Sequence, residues 1–218
     1  MVTACSAARG LTLLHTSPAH VPVFDALRDR HHPGAALRHL VAPELLDRAR
    51  ANGPRSVAPA LLELLAGAGP GPVLVTCSTI GATAEALAPA LGAPVLRVDR
   101  PMAAAAVRTG PRIAVLAALG STLAPTTELI AQEADGHGLP VSVTTHLVAG
   151  VWESFEAGDT ARCLARVAEA ADAVTGADVI VLAQASMAGA AGLTTTGIPV
   201  LASPAPGLAA ALALTAEP

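Results

Sequence analysis

A thiol stands between a predicted strand and a predicted helix in the stretch VLVTCSTIG, residues 73–81. Its apolar, β-branched start is typical of a short buried parallel strand, and the Ala-rich run that follows predicts a helix. Ser78 and Thr79 follow Cys77 and are favourable N-cap residues, so the turn presents backbone N–H groups and the positive end of a helix dipole. Such a turn binds anions and lowers a cysteine pKa from its usual value of about 8.5. The stretch therefore predicts a nucleophile or base beside a carboxylate-sized anion site.

An internal repeat relates this stretch to the second half of the chain. The tetrapeptide HLVA occurs at 39–42 and again at 146–149, 107 residues later, and Cys77 meets Gln184 at the same offset. Two further matches, both centred on prolines, lie at offsets of 105 and 103 residues. An ordered series with nearly constant spacing indicates two similar units.

Strands and helices alternate in both halves, which implies parallel sheets. Strands are predicted at 11–14, 37–41, 73–76, 94–98, 112–116, 141–148, 178–183 and 198–201, and helices from about 22 and at 43–51, 56–66, 82–91, 125–133, 159–174 and 207–215. Ligands of such folds bind beyond the carboxyl ends of the strands. We therefore predict an α/β fold in which two units face each other across a cleft.

The first unit is predicted to span 1–105 and to carry Cys77. The second is predicted to span 106–205 and to carry Gln184, and a C-terminal helix at 206–218 is expected to pack back on the first unit. Cys77 and Gln184 would end equivalent strands and point into the cleft between the units.

Composition excludes several classes of function. The net charge is −4, and the chain has one Trp, two Phe and no Tyr. The sequence therefore has neither the basic patch nor the stacking aromatic residues that are typical of nucleic-acid binding. No run of 18 apolar residues predicts a membrane span, and residues 1–10 lack the apolar core of a secretory signal. The three cysteines form no CxxC pair, which favours reduced thiols in the cytoplasm over disulfides or a zinc site. No glycine-rich phosphate loop predicts a nucleotide cofactor. No cofactor or metal is therefore expected.

Thr76–Gly81 and Val179–Met187 resemble the paired signatures of the aspartate/glutamate/hydantoin racemase superfamily. The resemblance implies two pseudo-symmetric, flavodoxin-like, three-layer halves and cofactor-independent chemistry on a small carboxylate. In that family one cysteine from each half flanks the α-carbon, and one removes the proton that the other returns on the opposite face. Cys77 matches the first cysteine, but Gln184 stands where the second belongs, and a carboxamide is neither an acid nor a base near neutral pH.

This departure leaves three hypotheses. Racemase or epimerase is the activity that the family implies. A one-base reaction, decarboxylation or double-bond isomerisation, agrees better with a single thiol, although one-thiol relatives that decarboxylate carry the cysteine in the second half. In either reaction Cys77 would transfer the proton and Gln184 would stabilise developing negative charge. The third hypothesis is a protein that binds a small acid without transforming it. Association into a homo-oligomer is compatible with all three.

Hydroxyl and backbone groups near the strand ends are the predicted substrate contacts. They belong to Thr16, Ser17, Ser78, Thr79, Ser121, Thr122, Ala185 and Ser186, and the same side chains could instead cap the helices that follow.

Other residues have plainer interpretations beside functional ones. His15, at the tip of the first strand, is either a turn residue or the missing second proton donor. His39 and His146 match in the repeat, which predicts a shared structural role. Asp99 and Arg100 either form salt bridges or contact an acidic substrate or a partner chain, and Cys5 and Cys163 are expected to be inert. His31 and His32 are expected in a solvated loop, without metal-ligand spacing around them.

Overall fold

The protein forms eight strands and ten α-helices in the computed structural model, which describes residues 10–215. The prediction for Cys5 falls outside these residues. The strands are β1 Leu11–His15, β2 Leu37–Val41, β3 Val73–Val75, β4 Val95–Arg97, β5 Arg112–Ala117, β6 Ser142–Leu147, β7 Val179–Leu182 and β8 Val200–Ala202. The helices are α1 Val21–His31, α2 Pro43–Asn52, α3 Ala58–Ala66, α4 Ser78–Glu85, α5 Ala88–Leu91, α6 Arg100–Thr109, α7 Gly120–His137, α8 Val151–Glu156, α9 Thr160–Asp172 and α10 Pro204–Ala213. Among them no helix has the length and apolar character needed to cross a membrane.

The strands form two parallel four-stranded sheets with the same topology. The order is β2-β1-β3-β4 in the first sheet and β6-β5-β7-β8 in the second. The predicted α/β fold with two facing parallel sheets is confirmed. The predicted boundary between 105 and 106 lies within α6, which leads from the first sheet to the second.

Successive side chains of the central strands β3 and β5 face opposite sides of their sheets, and helices cover both sides as separate layers. Val73 and Val75 belong to a buried cluster with residues of α2, α3 and α4, whereas Leu74 between them belongs to a cluster with Leu208 of α10 and residues of α1. In the second sheet Val115 likewise faces one cluster while its neighbours in β5 face another. Because successive side chains of a strand point to opposite faces, a continuous apolar strand needs helices on both sides.

Several helices differ from the prediction. The helix predicted over 82–91 is two helices, α4 and α5, and the one predicted over 125–133 is the longer α7, with Pro125 inside it. Neither α6 nor the six-residue α8 was predicted, and α8 is too short to show a helical period.

The shared role predicted for two histidines is wrong. His39 pairs with Leu13 in the sheet, and its Nδ1 lies 2.8 Å from His15 Nε2. His146 pairs with Leu116 and is exposed on the edge strand β6. The repeated tetrapeptide therefore marks equivalent strands but places its histidines in different environments, because one residue of register exchanges the two faces of a strand.

A buried ion pair joins the halves beneath α4. Arg97 and Asp99 are 1% and 0% exposed, and the guanidinium donates to both carboxylate oxygens over 2.9 and 2.8 Å. Arg97 also donates to the carbonyl of Pro125 in α7, over 3.1 Å. Gly81 packs closely against this side chain: a Cβ there would lie 3.0 Å from Arg97 Cγ, so a larger residue would require the buried Arg97 to shift.

A second ionic link lies nearer the surface. Arg100 forms salt bridges with Glu85 of α4 and with Glu133 of α7. Salt bridges are thus the confirmed interpretation for both Asp99 and Arg100. They hold α4, which starts at the thiol, against the second half.

Candidate active site

A narrow cleft lies between the carboxyl ends of the two sheets. It is lined by Thr16, Ser17, His20, Leu46, Thr76, Cys77, Ser78, Thr79, Leu119, Thr122, Trp152, Gln184, Ala185 and Ser186. Every predicted site residue except Ser121 lines it, and Ser121 Oγ is buried elsewhere without a hydrogen bond among residues 10–215. Cys77 follows β3 and Gln184 follows β7, the corresponding strands of the two sheets. The structure therefore places the thiol and the carboxamide in one cleft, one from each half.

Ser78 and Thr79, predicted as helix caps, do not cap α4. Cys77 itself is the N-cap of α4, and Gln184 is the N-cap of the 3-10 segment Ala185–Gly192. Ser78 is the first residue of α4, and its hydroxyl donates to the carbonyl of Ala183 over 2.9 Å. This bond crosses from the first half to the second, so it fixes the spacing of the two walls. The hydroxyl of Ser17 does cap, accepting from Ala19 N over 3.3 Å.

The thiol of Cys77 is surrounded by hydrogen-bond donors but is 8% exposed. Burial raises its pKa, while the hydroxyl groups of Thr16 and Thr79 and the backbone N–H groups of Thr79 and Ile80 act in the opposite direction without overcoming burial. The prediction of a lowered pKa is therefore wrong, because the helix start supplies its donors inside a desolvated wall. Near neutral pH the group is a thiol.

Alkylation should report this protonation state. With Cys5 and Cys163 replaced by Ala, the rate of Cys77 reaction with iodoacetamide is expected to rise with pH through a midpoint above the ordinary thiol value of about 8.5. The sign follows from the raised pKa, which leaves less thiolate than a free thiol has at the same pH. Mass spectrometry of timed samples measures the rate, with glutathione as the reference. A midpoint below that of glutathione would contradict the desolvated environment.

Hydrogen bonds fix the carboxamide of Gln184. Its Oε1 accepts from the backbone N–H groups of Ala118 and Leu119, over 2.6 and 3.1 Å. Only the oxygen can accept two such bonds, so the orientation of the amide is determined. Nε2 makes no hydrogen bond with any residue in the 10–215 range and is left as the donor. The carboxamide oxygen thus occupies the N–H groups after β5, whereas the N–H groups of Thr79 and Ile80 at the start of α4 face the Cys77 sulfur.

His15 ends β1 and His20 follows it, and His20, the one that lines the cleft, was not predicted. His15 is fully buried and absent from the cleft lining, with Nδ1 2.8 Å from Thr76 Oγ1 and Nε2 2.8 Å from His39 Nδ1. Burial, with smaller contributions from two neighbouring histidines, lowers its pKa to about 3. The structure therefore does not place His15 where it could serve as the second proton donor.

His20 and Trp152 are lining residues that sequence reasoning missed. His20 ends a 3-10 turn, Pro18–His20, and Trp152 lies on the unpredicted helix α8. Burial lowers the pKa of His20 to about 4, so its imidazole is neutral near pH 7. For Trp152, the sequence signal available was that it is the single Trp of an Ala-rich chain.

Neither a cation nor a metal cluster marks the cleft. Its lining includes no Lys or Arg. Within residues 10–215, no group of three or more His, Cys, Asp or Glu side chains could hold a metal ion. Anion binding here would depend on backbone N–H groups, hydroxyls and neutral side chains.

Comparison with known proteins agrees with this architecture. The family model described as Asp/Glu/Hydantoin racemase matches residues 23–211, whereas no curated protein matches by sequence. Glutamate racemase isoform RacE1 from Bacillus anthracis is similar in structure, with a TM-score of 0.68 and 16% identity over 92% of this chain and 79% of that one. Aspartate racemase from Picrophilus torridus superposes with a TM-score of 0.65 and 14% identity, over 96% and 95% of the two chains. An arylmalonate decarboxylase superposes with a TM-score of 0.55 and 19% identity, over 95% of this chain and 93% of that one. The family match spans most of the chain, so the resemblance in the two signatures is confirmed: this protein belongs to the Asp/Glu/hydantoin racemase family.

Proposed function

We propose that the protein is a cofactor-independent isomerase or lyase in which Cys77 transfers a proton to or from the carbon next to the carboxylate of a small acid. The observation that carries the proposal is the position of Cys77 and Gln184 at corresponding strand ends on opposite walls of one cleft. The family to which the chain belongs supports an enzyme, since its structural neighbours include racemases and a decarboxylase.

The protonation state favours a one-thiol reaction within this class. A thiol held in its protonated form is suited to give a proton to a carbanion, whereas removing a proton from carbon requires the thiolate. In a decarboxylation, the electrons of the breaking C–C bond stay on the α-carbon as carbon dioxide leaves. The Cys77 proton then forms the new C–H bond, and the thiolate regains a proton from water. Two-sided racemisation would need a second acid or base where Gln184 stands.

Gln184 has the donor that this reaction needs. Negative charge that develops on the α-carbon is shared with an adjacent carbonyl oxygen, and Nε2 of Gln184 can donate to that oxygen. Because Oε1 is held by two backbone N–H groups, the amide cannot rotate away. A preorganised donor of this kind stabilises the charged state without reorganisation.

The size of the cleft favours a compact substrate. The cleft has a cavity volume of about 30 Å³, which holds about two or three water molecules. A three- or four-carbon acid therefore fits only with small movements of lining side chains such as Leu46 and Trp152.

Exchange in deuterated water tests the proposal. We expect wild-type protein to incorporate deuterium at the α-carbon of an acid from a panel of two- to six-carbon carboxylates, either in the substrate or in a decarboxylated product. Proton and carbon NMR would follow the label and any bicarbonate formed. Cys77→Ala should reduce incorporation by at least about a thousandfold, since it removes the only proton-transfer group proposed.

The control is Cys163→Ala, which removes a buried thiol of α9 that is absent from the cleft lining. It should retain wild-type exchange. Acid binding without exchange or turnover in any acid would overturn the enzymatic proposal. It would favour the non-catalytic carboxylate-binding protein, the candidate that the missing second thiol also supports.

A further inference from the structure

The imidazole of His20 is an unsatisfied polar group in the wall of the cleft. The residue is 8% exposed, and both ring nitrogens are buried without a hydrogen bond to any residue in the range 10–215. Its ring packs 6.0 Å from the ring of Phe155 and 6.2 Å from that of His15. Packing therefore fixes the ring, while the protein leaves its polar atoms without partners.

Such a group indicates a missing partner. A neutral imidazole has one N–H donor and one lone-pair acceptor, and nearly all buried polar atoms in proteins are hydrogen-bonded. The indole Nε1 of Trp152, also in the lining, is likewise buried and unpartnered within the described part of the chain. Two unpartnered polar side chains in the lining of one cleft are consistent with groups that a ligand would satisfy.

The charges of the site restrict the chemistry of that ligand. No Lys or Arg lines the cleft, and burial keeps His20 neutral near pH 7 by lowering its pKa to about 4. The other titratable groups near this ring, Cys77 in the lining and His15 against the ring, are also uncharged under these conditions. A second carboxylate on the ligand would be buried without a cation, which is unfavourable. A neutral group that both donates and accepts, such as a carboxamide, matches the imidazole.

We propose that His20 is a substrate-contacting residue that binds a neutral, carboxamide-like group of the acid whose carboxylate lies at the start of α4. This inference rests on the proposed function for the carboxylate position and adds the class of the second substrate group. It makes the cleft selective for acid amides over dicarboxylates.

Binding of three matched three-carbon acids tests this selectivity. Malonamate, malonate and propanoate share the carboxylate but carry an amide, a second carboxylate and a methyl group respectively. Wild-type protein should bind malonamate about tenfold more tightly than propanoate, the effect of one buried hydrogen bond, and more tightly than malonate. In His20→Phe the preference for malonamate over propanoate should disappear. Calorimetry or ligand-observed NMR measures the dissociation constants.

Further variants distinguish a substrate-contacting role of His20 from a structural one. His20→Phe keeps an aromatic ring and removes two unsatisfied nitrogens, so its melting temperature should equal or exceed that of the wild type, whereas a residue with a structural polar role would lower it. His20→Asn and His20→Gln place an amide near the positions of Nδ1 and Nε2, and one of them should restore the preference. His146→Phe, which changes an exposed histidine on β6, should keep wild-type selectivity.

The outcomes distinguish this inference from the proposed function. Equal malonamate preference in wild type and His20→Phe, or tighter binding of malonate than of malonamate, would overturn the role of His20 and leave the thiol chemistry standing. Failure of all three acids to bind would overturn both.

Discussion

Replacing Gln184 by Glu is expected to weaken binding of a small carboxylate by roughly a hundredfold without unfolding the protein. The new side chain has the same shape, and one carboxylate oxygen can still accept from the backbone N–H groups of Ala118 and Leu119. In place of the free donor Nε2, however, the variant has a negatively charged carboxylate oxygen that faces the bound acid. Two like charges about 5 Å apart repel by about 3 kcal/mol at an effective dielectric constant of about 20, which corresponds to roughly two powers of ten in affinity.

Gln132→Glu is the matched control. Gln132 is exposed on α7, and its replacement by Glu makes the same change in net charge. It should bind acids as the wild type does, with only a small, salt-dependent difference. Titrations of malonamate by calorimetry, together with far-UV circular dichroism for the fold, measure both variants. Wild-type affinity in Gln184→Glu would mean that ligands bind away from the carboxamide, and would contradict the cleft as the carboxylate site.

The two sheets and the position of Cys77 opposite Gln184 were predictable, because the sequence patterns that indicate them are local or periodic. Apolar β-branched runs mark buried strands wherever both faces are covered, as β3 is. The constant offset of the repeat then identified Cys77 and Gln184 as residues at corresponding strand ends, and ligands of parallel α/β sheets bind beyond such ends. Six-residue α8, which brings Trp152 to the cleft, is too short to show a helical period.

The properties that sequence reasoning got wrong or missed depend on burial. The residues after Cys77 indicated N–H donors, and the donors are present, but desolvation by burial in the folded chain makes the net shift of the Cys77 pKa upward. His20 has no sequence neighbour that indicates a site. It becomes notable only when the fold removes water from both ring nitrogens and supplies no partner.

Truncating Asp99 to Ala is expected to destabilise the protein by about 3–5 kcal/mol, because it leaves the guanidinium of Arg97 buried without its counter-ion. Both side chains are almost fully buried, and the carboxylate accepts two of the hydrogen bonds of the guanidinium. Arg97 also contacts Gly81 of α4 and the carbonyl of Pro125. The loss should therefore extend to the seating of α4 against the second half. Urea unfolding followed by circular dichroism measures the change in free energy.

Two comparisons show whether burial is the cause. Asp29→Ala removes the carboxylate that accepts from Arg28 Nε over 2.9 Å, a contact as short as that from Arg97 Nε but with the Asp29 side chain 68% exposed. It should change the unfolding free energy far less, since an exposed partner is resolvated. Replacing Arg97 by Met and Asp99 by Leu together should recover most of the loss, because no unpaired charge remains in the interior. If the double variant is as unstable as Asp99→Ala, the pair contributes through its hydrogen bond to Pro125 and through specific packing, and the unpaired charge is not the main cost.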